Sequence, residues 1–152
     1  MNMKKEKKIK ISYVTYIKNH YIPTTVNMKK WILKSLLVNL PSHINIIFVG
    51  KKRIRTLNNN YLNNDYPTNV LTFPNNHSKL LSGDIVLCPE IINHESEKYK
   101  LPKNLRWAHM IIHSMLHLQG YDHKIKKDRL CMESIEVKIL HDMNYGNPYE
   151  RI

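Results

Sequence analysis

The segment at residues 107–123 constrains the fold of this chain more strongly than any other. Its apolar residues fall on every side of a helix, which predicts a helix buried almost all round. Three histidines interrupt this apolar segment, in the pattern His113-x-x-x-His117-x-x-Gly120-x-x-His123. Because a buried polar group needs a partner, histidines at these positions require a specific role. The apolar positions are Trp107, Met110, Ile111, Ile112, Met115, Leu116 and Leu118.

The histidine spacing predicts a metal site. His113 and His117 are four residues apart and therefore lie on one face of a helix. Gly120 can adopt the left-handed backbone that ends a helix and reverses the chain, which would bring His123 to the same ion. Three nitrogen ligands leave an open position on a tetrahedral metal, as in catalytic sites. The alternative is a set of core histidines bonded to backbone carbonyls.

The residue after the first histidine restricts the chemistry. The pattern matches HExxHxxGxxH of zinc peptidases, except that Ser114 replaces the glutamate that acts as general base. A serine hydroxyl is no base near neutral pH without an activating partner, so peptidase action of this type is disfavoured. Metal-assisted hydrolysis of a phosphodiester fits better. Asp122 is a candidate catalytic residue that would take a proton from water; alternatively it holds a histidine or caps the following turn.

The other histidines and the cysteines are expected to have structural roles. A ligand set of His109, His113 and His117 would extend along about 12 Å of helix, which is too far for one ion. We therefore interpret His109 as a residue that is buried or that supports the site. Cys88 and Cys131 belong to no CxxC motif and are expected to be small buried hydrophobes in a reducing cytosol. The remaining histidines, expected at the surface or in packing, are His20, His43, His77, His94 and His141.

The chain carries a formal net charge of +12, which favours a polyanion such as RNA or DNA as a partner. Lysine, asparagine and isoleucine are also the residues that an AT-rich genome supplies in excess. The charge alone therefore does not identify a ligand. There is no apolar run of signal-peptide length and no candidate membrane span, so we expect a soluble, cytoplasmic protein without a membrane partner.

The pattern of elements predicts an α+β fold. Residues 1–8 are expected to form a disordered basic tail, and residues 9–152 a single domain. The order β-α-β-α-β-β-α-α-α predicts a small mixed four-stranded sheet with about five helices and the metal site on a central helix and the turn after it. Strands are expected at 9–17, 44–49, 70–73 and 83–88, and the last three helices at 89–99, from 102–104 onward, and at 128–143. In the last helix Leu130, Met132, Ile135 and Ile139 are expected to face inward.

The run at residues 107–123 closely resembles the signature of the YbeY family, bacterial single-strand-specific metallo-endoribonucleases. Further blocks also resemble the family, in the same order along the chain: Leu57-Asn58 with Tyr61 and Asp65, then residues 67–74, 83–88 and 145–149. The resemblance implies an α+β fold and one zinc ion on His113, His117 and His123. It also implies a cleft beside the zinc that accepts single-stranded or ribosomal RNA.

The resemblance further implies that the protein acts on the small ribosomal subunit. The implied roles are maturation of the 3′ end of the small-subunit ribosomal RNA and ribosome quality control. The sequence leaves the oligomeric state open. Two other functions are weighed against this one: a metal-dependent hydrolase of another substrate, and an RNA-binding ribosome-assembly factor with weakened catalysis.

Two positions depart from the family pattern. Ser114 stands where the family usually has glycine, which is also small. Leu62 stands where the family usually has an arginine important to its RNase activity. A leucine cannot bind a phosphate or stabilise a developing negative charge. We expect either reduced activity or another cation in its place, with Arg55 and Lys52 as the candidates for binding RNA.

Thr68 and Asn69 are two further candidates for contact with RNA. They belong to the polar segment that leads into the strand at residues 70–73. Threonine and asparagine also favour turns, because their side chains bond to nearby backbone groups. We expect turn and strand structure as their primary role and lining of the cleft as a secondary one.

Overall fold

The computed structural model describes residues 8–75 and 79–150. Its sheet has the strand order β1-β2-β4-β3, in which β1, β2 and β4 are parallel and the edge strand β3 is antiparallel to β4. The α+β class and the mixed four-stranded sheet with five helices are confirmed for the described residues. The strands are β1 (Ile9–Thr15), β2 (Ser42–Phe48), β3 (Val70–Asn75) and β4 (Leu81–Leu87).

The five helices pack on both faces of this sheet. They are α1 (Thr25–Ser35), α2 (Lys51–Leu62), α3 (Pro89–Lys98), α4 (Lys103–Leu118) and α5 (Lys126–Asp142). The larger apolar core includes Ile85 and Leu87 of β4 together with residues of α1, α4 and α5. A smaller core joins Val86 to Ile54 of α2. Because neighbouring residues of a strand point to opposite faces, α2 packs on the face opposite to α1 and α4.

Helix α4 is the central helix, and it contacts α1, α3, α5, β3 and β4. The seven apolar residues that the sequence predicts to be inside are all buried. Its end is a Schellman motif, in which Tyr121 N–H donates to the Leu116 carbonyl and Gly120 N–H donates to the His117 carbonyl. Gly120 has φ 97°, as this motif requires, so the predicted reversal after the helix is confirmed.

Gln119 fixes the end of α4 to the end of α1. Its Oε1 accepts hydrogen bonds from the backbone N–H groups of Leu37 and Val38, at 2.7 and 3.2 Å. Its Nε2 donates to the Ser35 carbonyl at 2.8 Å. These bonds satisfy backbone groups that the end of α1 leaves unpaired. The position of the histidine helix is therefore set by polar bonds as well as by apolar packing.

Some expectations about the ends of elements and the inward faces are wrong. Strand β1 ends at Thr15 rather than residue 17, and β4 begins at Leu81 rather than residue 83. Leu130 is 51% exposed, because it lies about 200° around α5 from the buried Met132. Cys131 is exposed because it also lies outside the buried stripe of α5, whereas Cys88 is buried. Residues 1–7 of the expected tail, and His77, lie outside the described residues.

Within residues 8–75 and 79–150, no helix is both long and apolar enough to cross a membrane.

Candidate metal centre

The three predicted ligands meet at the C-terminal end of α4. The Nε2 atoms of His113 and His117 lie 3.1 Å apart. The turn after Gly120 carries His123 back to them, with ring centroids 5.4 Å from His113 and 4.8 Å from His117. One nitrogen from each ring lies within 4.8 Å of the other two. The structure therefore brings together the three histidines that the sequence spacing selects.

This arrangement fits a small cation. Nitrogen ligands at 2.0–2.1 Å from a tetrahedral zinc are about 3.3 Å apart, close to the separation between His113 and His117. Burial, followed by the charges of His113 and His123, lowers the pKa of His117 to about 4. A metal needs a neutral imidazole with a free lone pair, and His117 keeps this form well below neutral pH. The donor set is therefore suitable for zinc.

A second group of potential ligands lies behind the first. His109, His113 and Glu136 also bring one ligand atom each within 4.8 Å. His109 is 4% exposed and Glu136 is fully buried, and the Nε2 of His109 pairs directly with the Glu136 carboxylate. Two of these three residues are buried, so this group faces the interior. The group that faces solvent (His113, His117 and His123) is therefore the candidate for a catalytic metal.

Glu136 is the central residue of the buried group, and the sequence reasoning missed it. Its Oε1 lies 3.3 Å from Nδ1 of His113, and the Tyr149 hydroxyl donates to both carboxylate oxygens at 3.1 Å. Burial alone would raise the pKa of Glu136, but the hydrogen bonds to His109 and His113 and the charges of these two residues together lower the pKa to about 2. Burial, followed by the charge of Glu136, raises the pKa of Tyr149.

A signal for Glu136 does exist in the sequence. Met132, Glu136 and Ile139 are spaced i, i+4 and i+7, so the glutamate lies in the buried stripe of α5. A charged residue inside such a stripe must be paired, and histidines on a neighbouring buried helix are natural partners. His109 on α4 is one of these partners, which agrees with its interpretation as a buried residue.

The three histidines open into a cleft of about 650 Å³. Its walls come from the end of α2, the segment leading into β3, β3 itself, α4 and the turn after α4. Among the described residues that line it, the cation is Lys124, one position after His123. Leu62, 56% exposed at the end of α2, also lines the cleft. Other lining residues are Thr68, Asn69, Val70, Thr72, Pro74, Met110, Tyr121 and Asp122.

Two candidate RNA ligands, Lys52 and Arg55, lie elsewhere on α2 and are not among the residues that line this cleft. The Arg55 Nε donates to Asp65 at 2.8 Å, on the surface. This bond raises the pKa of Arg55 and lowers the pKa of Asp65. The cation nearest to the histidines in the cleft lining is therefore Lys124, which sequence reasoning did not select.

The segment before β3 is held by several bonds. Asn69 donates through Nδ2 to Glu95 at 3.1 Å, and its carbonyl accepts from Cys88 N–H at 2.9 Å. Glu95 also pairs with Arg106 of α4 at 2.8 Å. The side chain of Asn69 is thus engaged in fixing the wall of the cleft. Thr68 lines the cleft beside it.

Asp122 and Ser114 also have defined contacts. Asp122 Oδ1 accepts from the backbone N–H of His123 at 2.7 Å, and this bond lowers the pKa of Asp122. The carboxylate therefore stabilises the turn that presents His123. Ser114 is fully buried and donates to the Met110 carbonyl at 2.8 Å. Its hydroxyl is inside the helix packing and does not line the cleft where a general base would act.

The fold and the site define an α+β protein with a three-histidine group, able to hold a metal ion, at the floor of an open cleft. A family model described as endoribonuclease YbeY matches residues 3–144. The chain therefore belongs to the endoribonuclease YbeY family.

Known relatives agree with this assignment. The endoribonuclease YbeY of Buchnera aphidicola subsp. Schizaphis graminum is 43% identical, over 97% of each chain. That of Aromatoleum aromaticum is 38% identical over 84% of this chain and 81% of its own length. The solution structure of TM1509 from Thermotoga maritima has a TM-score of 0.53 and 21% identity, covering 93% of this chain and all of that one. This last likeness supports the fold alone.

Proposed function

We propose that this protein is a zinc-dependent endoribonuclease specific for single-stranded RNA. It acts in the cytoplasm on ribosomal RNA, in maturation of the 3′ end of the small-subunit RNA and in ribosome quality control. Residues 9–152 form one catalytic domain in this proposal. The open three-histidine group in the cleft is the observation that carries it. Membership of the endoribonuclease YbeY family supports the choice of RNA as substrate.

The residues that line the cleft would have different roles in such a reaction. The three histidines would hold a zinc ion, which would supply Lewis acidity toward a phosphodiester and a lowered pKa of water, toward about 7. Lys124 offers a positive charge to the RNA backbone, and the Thr68 hydroxyl can donate to a phosphate oxygen. Asp122 stabilises the turn that presents His123. A cleft of about 650 Å³ is in the size range that encloses a drug-sized ligand, which suits one or two unpaired nucleotides.

An RNA-binding assembly factor with weakened catalysis is the second candidate function. Leu62 favours it, because this exposed leucine lines the cleft where relatives are expected to carry a phosphate-binding arginine. Hydrolysis of a peptide is less well supported, since the Ser114 hydroxyl is bonded inside the helix and cannot replace a glutamate base.

A cleavage assay on single-stranded and ribosomal RNA tests the proposal. It compares wild type of known zinc content with His113→Ala and Leu62→Arg. Leu130→Arg is the matched control, because Leu130 is similarly exposed but lies on α5 outside the cleft lining. We expect zinc-dependent cleavage by wild type, loss in His113→Ala, and a gain in Leu62→Arg that Leu130→Arg does not share.

Two results would reject the proposal. Equal cleavage by wild type and His113→Ala would exclude catalysis by the histidine-bound metal. Cleavage by Leu62→Arg alone, with RNA binding retained in wild type, would select the assembly factor instead.

A further inference from the structure

We propose that Glu136 is a positioning residue for the metal centre, and that the C-terminal segment secures it through Tyr149. This inference rests on the proposed metal-dependent function, and it concerns how His113 is prepared for the ion. Glu136 itself touches neither the open position nor the cleft. It lies behind His113, on the side away from the other two ligands.

The two nitrogens of His113 face different partners. Its Nε2 lies 3.1 Å from Nε2 of His117, on the side where the ligand atoms converge. Its Nδ1 lies 3.3 Å from Oε1 of Glu136. A carboxylate can only accept a hydrogen bond, so Nδ1 must carry the proton. The lone pair is then on Nε2, where an ion needs it, and the ring is held in that orientation.

The carboxylate of Glu136 is itself held at both oxygens. Nε2 of His109, one turn earlier on α4, pairs with Oε2. The Tyr149 hydroxyl donates to Oε1 and Oε2 at 3.1 Å each, from a segment 13 residues beyond Glu136. With these bonds in place the carboxylate cannot rotate away from His113. His109 of α4 and Tyr149 of the C-terminal segment therefore hold Glu136 of α5 in place against His113.

Packing alone gives no reason for a glutamate at this position. Glu136 is fully buried, and its neighbours in the stripe, Met132 and Ile139, are apolar. Replacing a buried charged group and its partners with apolar residues of similar size is often neutral or stabilising. A role toward the metal explains the charge, because carboxylates that hold metal-binding histidines raise the basicity of the ligand and fix its orientation.

Metal binding, rather than activity, gives the sharpest test. Zinc affinity would be measured by competition with a chromophoric chelator, and ligand geometry by the visible spectrum of the cobalt(II) form. The variants are Glu136→Gln, which keeps the shape, Glu136→Ala, and Tyr149→Phe, which removes the bonds to the carboxylate. Glu133→Gln is the control, since it makes the same charge change on the same helix without a bond to any histidine. Unfolding of the metal-free proteins is measured in parallel.

We expect zinc affinity to fall about tenfold in Glu136→Gln, up to about 100-fold in Glu136→Ala, and several-fold in Tyr149→Phe. Glu133→Gln should bind as wild type does, and the cobalt spectrum should change only in the Glu136 and Tyr149 variants. If Glu136→Ala fails to fold, the zinc affinities of Glu136→Gln and Tyr149→Phe test the inference.

Wild-type zinc affinity in Glu136→Gln and Tyr149→Phe would overturn the inference, even if their metal-free forms were less stable. An equal loss of affinity in Glu133→Gln would also overturn it. Failure of the proposed function gives a different result: wild type would bind no zinc, or His113→Ala would bind it equally well.

Discussion

Adding one methyl group at Gly83 should displace the end of the histidine helix. Gly83 lies in β4 beneath the end of α4. A Cβ at this position would lie 2.5 Å from Cδ2 of Leu118, 2.8 Å from the Phe73 carbonyl oxygen and 3.2 Å from Cα of Pro74. Carbon atoms in contact are normally 3.5–4.0 Å apart, so Gly83→Ala requires these groups to move.

The expected size of the effect follows from what can move. The Leu118 side chain can change its rotamer, but the Phe73 and Pro74 contacts are backbone atoms of β3. Pro74 pairs with Gly83 in the antiparallel register, so the two strands must separate locally. Extra methyl groups in packed cores destabilise by about 1–3 kcal/mol. Because backbone must shift, we expect about 2–3 kcal/mol here, or a Tm lower by about 4–12 °C for a chain of this size.

The effect should also reach the metal site. Leu118 follows His117 directly, and Pro74 lines the cleft. Displacement of β3 or of the helix end should therefore weaken zinc binding as well as stability. Urea denaturation followed by circular dichroism measures the loss of stability, and chelator competition measures the loss of zinc affinity.

Gly146→Ala is the matched control for Gly83→Ala. Gly146 is exposed, and a Cβ there meets no atom within 4 Å. The free energy of unfolding of Gly146→Ala should therefore stay within about 0.5 kcal/mol of wild type. Adding Leu118→Ala to Gly83→Ala should not remove the clash, because the contact with the Phe73 carbonyl remains. A Gly83→Ala protein as stable as the Gly146→Ala control would refute the close approach of Gly83 to the backbone of β3.

Three further predictions concern charge and metal. Glu95→Gln removes the charge that pairs with Arg106 and perturbs the bond to Asn69. The free energy of unfolding should therefore fall by about 2 kcal/mol, and the KM for RNA cleavage should rise. Unchanged values of both would contradict this prediction. The Glu136 pKa of about 2 lies below its ordinary 4.5, so its contribution is present above pH 4.5 and lost as pH falls through 2. The stability difference between the metal-free wild type and Glu136→Gln should therefore shrink by roughly 3 kcal/mol over that interval, and a constant difference would refute this. Chelation should lower the Tm of zinc-loaded protein, and zinc at 100 times its Kd should restore about 2.7 kcal/mol, but not in His113→Ala.

The histidine helix was predictable because local sequence determines it. Its apolar residues occupy every side, so only a central position buries them. Gly120 marks its end, because the left-handed conformation there suits glycine. The convergence of His113, His117 and His123 then follows from helix geometry and one turn, with no long-range contact needed.

The residues around the ligands were harder to predict, because they come from distant elements. Glu136 and Tyr149 lie on α5 and the C-terminal segment, and only tertiary packing places them behind His113. Lys124 follows His123 directly, but only the fold shows that it lines the cleft. The charge of Arg55 predicts contact with RNA, but its bond to Asp65 and its place on α2 depend on how that helix docks on the sheet.

The same architecture places the three histidines and residue 62 on different elements. The three ligands come from α4 and its following turn, whereas Leu62 comes from α2, which packs on the opposite face of the sheet and reaches the cleft only at its end. A substitution at residue 62 therefore alters the charge presented to RNA without altering the ligand set. In the proposed function, the charge beside the three histidines can therefore change at residue 62 while the histidine group itself stays the same. Metal content by itself would then say little about cutting activity, and Leu62→Arg, which adds a cation to the cleft lining, is the informative perturbation.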